Sequence, residues 1–149
     1  MTEMQAKEER TNFVTSTDIV RGWYEYWTEF DSRETAGRFV AEDVKNHGIL
    51  IKENGLDAFV GGCAKVLANN YSSKSIIDEL IEKDDIVVAR VHSNMKMKGS
   101  FMGMNVDGKS VVVDEISIFR VAGNMIVEWW TQIDSLSMLH QLGFFLSAK

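Results

Sequence analysis

Between Thr17 and Phe30 apolar side chains recur at three- and four-residue steps. Val20, Trp23, Trp27 and Phe30 fall on one face, with Ile19 and Tyr26 beside them. That period predicts an amphipathic helix, and Thr17-Asp18 is its start signal. Asp31-Ser32 opens a second, shorter helical stretch through Phe39. The segment from Ala41 to Ile51, with Asp43, His47 and Gly48, is assigned no element. From Gly55 to Tyr71 the helical period returns, with Leu56, Phe59, Val60, Cys63, Val66 and Leu67 on the apolar side. Beyond it the chain turns β-rich. Ser75 to Glu82 and Ile86 to Met97 read as strands around a turn at Asp84-Asp85, and Phe101 to Asn105 as a short piece closed by Asp107-Gly108. Val111 to Phe119 and Met125 to Ile133 read as two further strands, because Val, Ile and aromatic residues suit a pleated surface. Gly123-Asn124 between them is a hairpin turn signal. A short helix from Leu136 to Leu142 ends at Gly143.

Helices first, then strands joined by hairpins, predict an α+β domain with an antiparallel sheet. No β-α-β alternation is visible, which disfavours a Rossmann or barrel fold. The glycines at 99, 103 and 108 are too irregular for a nucleotide fingerprint.

Composition narrows the partners. The chain has 149 residues and a net charge of -6, with no block of Lys or Arg, so nucleic acid and anionic membrane surfaces are excluded as expected partners. That length suits a single domain able to bury roughly 70% of its unfolded surface. The lone Cys63 excludes an internal disulfide and reads as a small buried hydrophobe. There is no bilayer-length apolar run and no signal-peptide core, so a cytoplasmic protein is expected. Residues 1–14, polar and mixed in charge, are expected to be mobile.

Candidate chemistry concentrates on the last strand. Strict alternation puts Ile126, Glu128, Trp130, Gln132 and Asp134 on one face. A carboxylate, an indole and an amide on one face of an apolar hairpin do not look like a plain core strand. Asp134 has two readings, an acid/base group or the N-cap of the helix that follows. The partner acid across the hairpin depends on the turn. A two-residue loop puts Glu115 opposite Gln132, whereas a three-residue loop turns Asp114 inward; the commoner turn favours Glu115. A second carboxylate near Asp134 would push one of the two toward its protonated form. On the first helix, Trp27 or Tyr26 lines a cavity for a flat ligand, or the whole aromatic face is core. The methionines at 95, 97, 102 and 104 read as adaptable packing or as a rim that moulds to a lipophilic ligand. His92 and His140 read as structural.

The run IVEWWTQID followed by LHQLG resembles the C-terminal signature of the SnoaL-like polyketide cyclases and ester cyclases, within the nuclear transport factor 2-like superfamily. Glu128, Trp130, Asp134, Gln141, Leu142 and Gly143 carry it, and Arg120 and the Asp43 and His47 pair also match. The resemblance extends from about Thr17 onward. Where the family often has a Thr-His pair before a glycine, this chain has Lys96 and Met97 ahead of Gly99.

The resemblance implies N-terminal helices packed into a strongly curved antiparallel sheet, with a cone-shaped pocket. It implies cofactor-free acid/base chemistry on a small hydrophobic carbonyl compound, an aldol-type ring closure or a related proton transfer. Asp134 would move the proton, and His47, Trp27, Glu115, Trp130 and Gln132 would line the pocket. No metal and no cofactor are implied. The alternatives are a non-catalytic module binding a small hydrophobic ligand, or an epoxide-hydrolase-like enzyme in which Arg90 or Arg120 would join an Asp on a water. Members commonly form homodimers through the outer sheet face. If Trp130 faces the pocket, Trp129 must face the other way, and a partner subunit would cover it.

Overall fold

The computed structural model describes residues 15–145; the N-terminal segment expected to be mobile lies outside them. In chain order the elements are α1 (Ser16–Tyr26), a 3-10 turn (Trp27–Glu29), α2 (Arg33–Ala36), β1 (Val40–His47), α3 (Leu56–Ala68), β2 (Asn70–Lys83), β3 (Ile86–Met97), β4 (Ser100–Phe101), β5 (Met104–Asn105), β6 (Ser110–Ala122), β7 (Met125–Ile133) and α4 (Ser135–Gln141). Thr15 caps α1 by accepting from the Asp18 amide, and Ser32 caps α2 by accepting from Thr35.

Five strands form one sheet in the order β1-β7-β6-β3-β2. Every pairing is antiparallel except that of β1 with β7. The unassigned segment is this parallel strand, whose VAEDVKNH run lacks the apolar alternation that marks the others. β2 starts five residues earlier than the sequence reading, at Asn70, through the polar run YSSK. The helices cover one face of the curved sheet, as the α+β reading requires.

The sheet's inner face is set by alternation. On β6, Val111, Val113, Ser117, Phe119 and Val121 are buried; on β3, Val87, Ala89, Val91, Ser93 and Met97 are. Their apolar members fall into two clusters. The larger gathers Trp23 of α1, Phe30, Phe39, Phe59 of α3, Phe119 and Trp129; the smaller gathers Met97, Val106, Val111, Val113 and Leu142. Trp23 is the hub of the larger, with ring centroids 5.0 Å from Phe59, 5.0 Å from Phe119 and 5.3 Å from Trp129.

The β6–β7 hairpin closes as expected through Gly123 and Asn124, both at positive φ, and pairs Ala122 with Met125. One irregularity then changes everything downstream. Val121 pairs with Ile126 but Arg120 pairs with Glu128, leaving Val127 as an extra residue. The bulge swaps faces. Trp129 lies opposite buried Phe119 and enters the core, while Trp130 lies opposite exposed Ile118 on the outer face. The expectation that Trp129 awaits a partner subunit is therefore corrected: its own core covers it, at 5% exposure. Its indole Nε1 donates to Asn46 Oδ1 at 2.7 Å, and Asn46 donates in turn to the carbonyls of Glu53 and Gly55. Among the described residues no helix is long and apolar enough to cross a membrane.

Trp129 also dictates a glycine. A Cβ on Gly48 would sit 2.5 Å from Trp129 Cη2, whereas one on Gly61 of α3 would meet nothing. Gly48→Ala is therefore expected to cost about 1–3 kcal/mol by overpacking a rigid ring. Gly61→Ala is expected to gain roughly 0.5–1 kcal/mol from helix propensity. Urea unfolding of both variants checks this, and equal midpoints would refute the packing of Trp129.

Candidate functional site

Between the two apolar clusters the inner face carries a polar seam. Ser75 of β2 and Ser93 of β3 are cross-strand partners with hydroxyls 2.8 Å apart. Ser117 of β6 and Thr131 of β7 are likewise paired, with hydroxyls 2.8 Å apart. Glu115 lies between them on the same face of β6, because it is two residues from Ser117. From α1, the Tyr24 phenol reaches across and donates to Glu115 Oε1 at 2.6 Å; Ser117 donates to the same oxygen at 3.1 Å.

A carboxylate in this position is perturbed. Burial pushes the Glu115 carboxyl above its ordinary value, and the hydrogen bonds from Tyr24 and Ser117 only partly offset it. Burial, with the negative charge of Glu115 beside it, drives the Tyr24 hydroxyl well above its ordinary value too, so the phenol stays protonated and donates. Two proton-holding groups in hydrogen-bond contact, both raised above their ordinary values, make this point a candidate for acid/base chemistry.

Beside this seam a cleft of about 440 Å³ opens between α1 and β2. Arg21, Tyr24, Glu25, Trp27 and Thr28 line it from the α1 side, and Ser73, Lys74, Ser75 and Ile77 from β2. Tyr24 belongs to both cleft and seam and connects them. Two polar atoms of lining residues, Trp27 Nε1 and Ser73 Oγ, are buried without a hydrogen-bond partner. Arg38 Nε and Asn70 Oδ1, away from the cleft, are buried in the same way, and such groups are costly unless water or another partner meets them.

The residues expected from sequence divide between the two sheet faces. Trp27 lines the cleft, and Glu115 faces inward. The reason given for Glu115 is corrected, however: the bulge pairs it with Ile133, not with Gln132. Trp130, Gln132 and His47 are placed on the outer face, a correction with the same cause. His47 pairs with Trp130 across the parallel β1–β7 edge. Their rings stack at 5.0 Å with 3° between planes, and His47 Nε2 lies 3.0 Å from Glu128 Oε1. The His47 hydrogen bond holds the Glu128 carboxyl below its ordinary value. Arg120 joins this outer chain through Asp85 at 2.8 Å and Glu128 at 3.5 Å, and Arg90 pairs with Asp78 and Glu79. Neither arginine lines the cleft, so the arrangement a water-activating Asp-Arg site would need is not formed by these two residues.

Asp134 is exposed and acts as the N-cap of α4: Oδ1 accepts from the Ser137 amide at 3.0 Å. It stands one residue beyond Ile133, the cross-strand partner of Glu115, and its amide donates to the Asp114 carbonyl. Gln141, in the same signature, grips the backbone of Val112 with both ends of its amide. His92 pairs with Asp78, and Met97 is packed in the smaller cluster with Met95 against it. Burial raises the Cys63 thiol to about 12, which leaves it unreactive. Among the described residues no group of three or more His, Cys, Asp or Glu could hold a metal ion.

Tyr24, Ser117, Thr131, Ser75 and Ser93 are the residues sequence reasoning missed. A signal was there. On the inner positions of β6, Glu115 and Ser117 interrupt an otherwise apolar series of Val111, Val113, Phe119 and Val121.

A curved, largely antiparallel sheet with helices against one face is an α+β fold of the nuclear transport factor 2-like class. Within that class the chain belongs to the SnoaL-like polyketide cyclase family, whose model matches residues 17–142. Among solved structures it is similar to IdmH from Streptomyces antibioticus, with 23% identity, a TM-score of 0.76, and 86% of this chain and 98% of that one covered. A SnoaL-like polyketide cyclase from Agrobacterium tumefaciens gives 21% identity and a TM-score of 0.71, covering 85% of this chain and 97% of that one. TsrD from Streptomyces laurentii gives 15% and 0.73, covering 96% and 98%. At these identities the likeness is one of fold. No curated protein matches the chain by sequence.

The cap reading of Asp134 has a direct check. Asparagine caps about as well as aspartate, so Asp134→Asn is expected to leave thermal stability nearly unchanged, while Asp134→Ala costs about 1 kcal/mol. Equal losses in both variants would show that the charge, not the cap, is what α4 uses.

Proposed function

We propose that this chain is a cofactor-free enzyme of the cyclase type that moves a proton on a small, largely apolar carbonyl compound. The observation that carries the proposal is Glu115, a carboxyl raised by burial and held between Tyr24 and Ser117 beside an open cleft. Glu115 would take a proton from the carbon next to a carbonyl. The enolate so formed would attack a second carbonyl of the same molecule, closing a ring with a new carbon–carbon bond. The resulting alkoxide would take the proton back from Glu115. Atoms balance without a co-reactant, and a carboxyl raised above its ordinary value by burial holds the abstracted proton more readily before returning it.

A second reading keeps Asp134 as the acid/base group. Its place in the matched family signature favours this, as does its position next to the cross-strand partner of Glu115. The two readings separate by turnover. With any carbonyl substrate found by screening, Glu115→Gln is expected to lose roughly 100-fold or more, with Asp134→Asn close to the parent. The reverse order would transfer the role to Asp134. A parent that binds apolar ligands and turns over none of them would be a binding module of this fold.

A homodimer through the outer sheet face is also part of the proposal. Val112, Ile116 and Ile118 of β6 are exposed there, at 45%, 53% and 37%, beside the Trp130–His47 stack. An apolar patch on an open sheet is the usual material of an isologous contact. Sedimentation at micromolar concentration should give a dimer for the parent and a monomer for Ile116→Asp. A monomeric parent would end this part.

A further inference from the structure

A bulge in β2 gathers charge on the outer sheet face. Ile77 pairs with Val91 and Glu79 with Arg90, so Asp78 is an extra residue and both acids emerge on one side. Asp78 Oδ2 lies 2.8 Å from His92 Nδ1 and 3.6 Å from Arg90 Nη1, and Arg90 Nε lies 3.4 Å from Glu79 Oε2. On its other flank His92 is the cross-strand partner of exposed Asp114 of β6. Ile76 is opposite His92 on β2. Lys74, two residues before it, pairs with Asn94 and through it with Val112, so it faces outward too. The groups around His92 are therefore three carboxylates, of Asp78, Glu79 and Asp114, and two fixed cations, Arg90 and Lys74. One negative charge is left over, and a proton on His92 balances it. This cluster lies within the apolar part of the face. Exposed Ile116 is opposite Arg90, and Val112 and Ile76 stand on either side of it. A surface that covers these side chains covers His92 with them.

We infer that self-association of this chain through the outer sheet face is gated by a proton on His92. With His92 neutral, each copy brings an unbalanced carboxylate charge to the contact, and two-fold pairing sets the two excess charges against one interface. With His92 protonated, each cluster is neutral and its members pair among themselves. Covering the imidazolium itself costs little, because the side chains of His92 and Asp78 are already only 29% and 28% exposed, whereas Glu79 is still 56% exposed. The proton is thus held more tightly in the dimer than in the monomer. A group raised in this way contributes affinity in full below the monomer's histidine range, and that affinity is lost as pH rises through the dimer's. His47, the other histidine of this face, differs. There Glu128 and Asp85 are already matched by Arg120 and by Lys45, the cross-strand partner of Glu128, without any proton. The inference rests on the proposed dimer through this face.

Sedimentation equilibrium of the full chain at pH 6 and pH 8 tests this, in about 150 mM salt to screen the charge of the molecule as a whole. The parent dimer is expected to be about tenfold tighter at pH 6 than at pH 8. His92→Gln should hold the parent's pH 8 affinity at both values. Asp114→Asn, which removes the excess carboxylate, should raise the pH 8 affinity to the pH 6 level of the parent. His47→Gln should keep the parent's dependence. A parent dimer that is unmoved or weaker at pH 6 would overturn the inference and leave the dimer standing. So would a dependence that survives His92→Gln, one that His47→Gln abolishes, or an Asp114→Asn dimer as weak at pH 8 as the parent. A parent that is monomeric at both values removes the dimer, and this inference with it.

Discussion

One extra residue in β7 decides which side chains of the hairpin enter the core. Had the hairpin continued in register from Gly123-Asn124, strict alternation would have sent Trp130 inward and Trp129 out. The bulge at Val127 reverses this. With Trp129 inside, one indole can touch Trp23 of α1 and Phe59 of α3 while donating to Asn46 of β1. Three elements distant in sequence are thereby fixed against one ring. Asn46 then holds the backbone at Glu53 and Gly55, just ahead of α3. The position of α1, and so of Tyr24, follows from this packing.

That placement explains how a polar seam survives inside a small core. Buried hydroxyls and a carboxyl cost free energy unless paired. Here they are paired among themselves, as Ser75 with Ser93, Ser117 with Thr131, and Tyr24 and Ser117 with Glu115. Apolar clusters on both sides keep the seam in surroundings of low polarity, which is why Glu115 titrates high rather than low. The outer face treats its charges differently. There Glu128 meets His47 and Arg120 close to solvent and is held below its ordinary value. The two glutamates of one hairpin therefore end with opposite tendencies, set only by which side of the sheet each occupies.

Much of the fold was legible in the sequence. The helical period of α1 and α3, the strand period of β3 and β6, the presence of β7 and the Gly123-Asn124 turn all stand as read, and with them the α+β layout. β1 was not, because a parallel edge strand with the run VAEDVKNH shows no alternation to read. The candidate site was legible in part. Trp27 and Glu115 could be proposed because an aromatic on a helix face and an acid on an apolar strand stand out locally. Trp130, Gln132 and His47 were assigned to the wrong face, since a bulge leaves no mark on the hydrophobic pattern of a strand whose two tryptophans are adjacent. Tyr24 and the hydroxyls of the seam escaped because each is unremarkable alone. Only tertiary contact, between positions as far apart as Tyr24 and Glu115, makes them a network.

The central claim is that Glu115 is a carboxyl raised by burial and kept in check by Tyr24. Selective carbon-13 labelling of glutamate and a pH titration by NMR measures it directly, with Glu115→Gln to assign the resonance. The account predicts a midpoint for Glu115 above the ordinary glutamate value of 4.5, and a still higher midpoint in Tyr24→Phe, where a hydrogen bond to the ionised form is lost. A midpoint at or below 4.5 in the parent, or a midpoint that falls when the Tyr24 hydroxyl is removed, would contradict it.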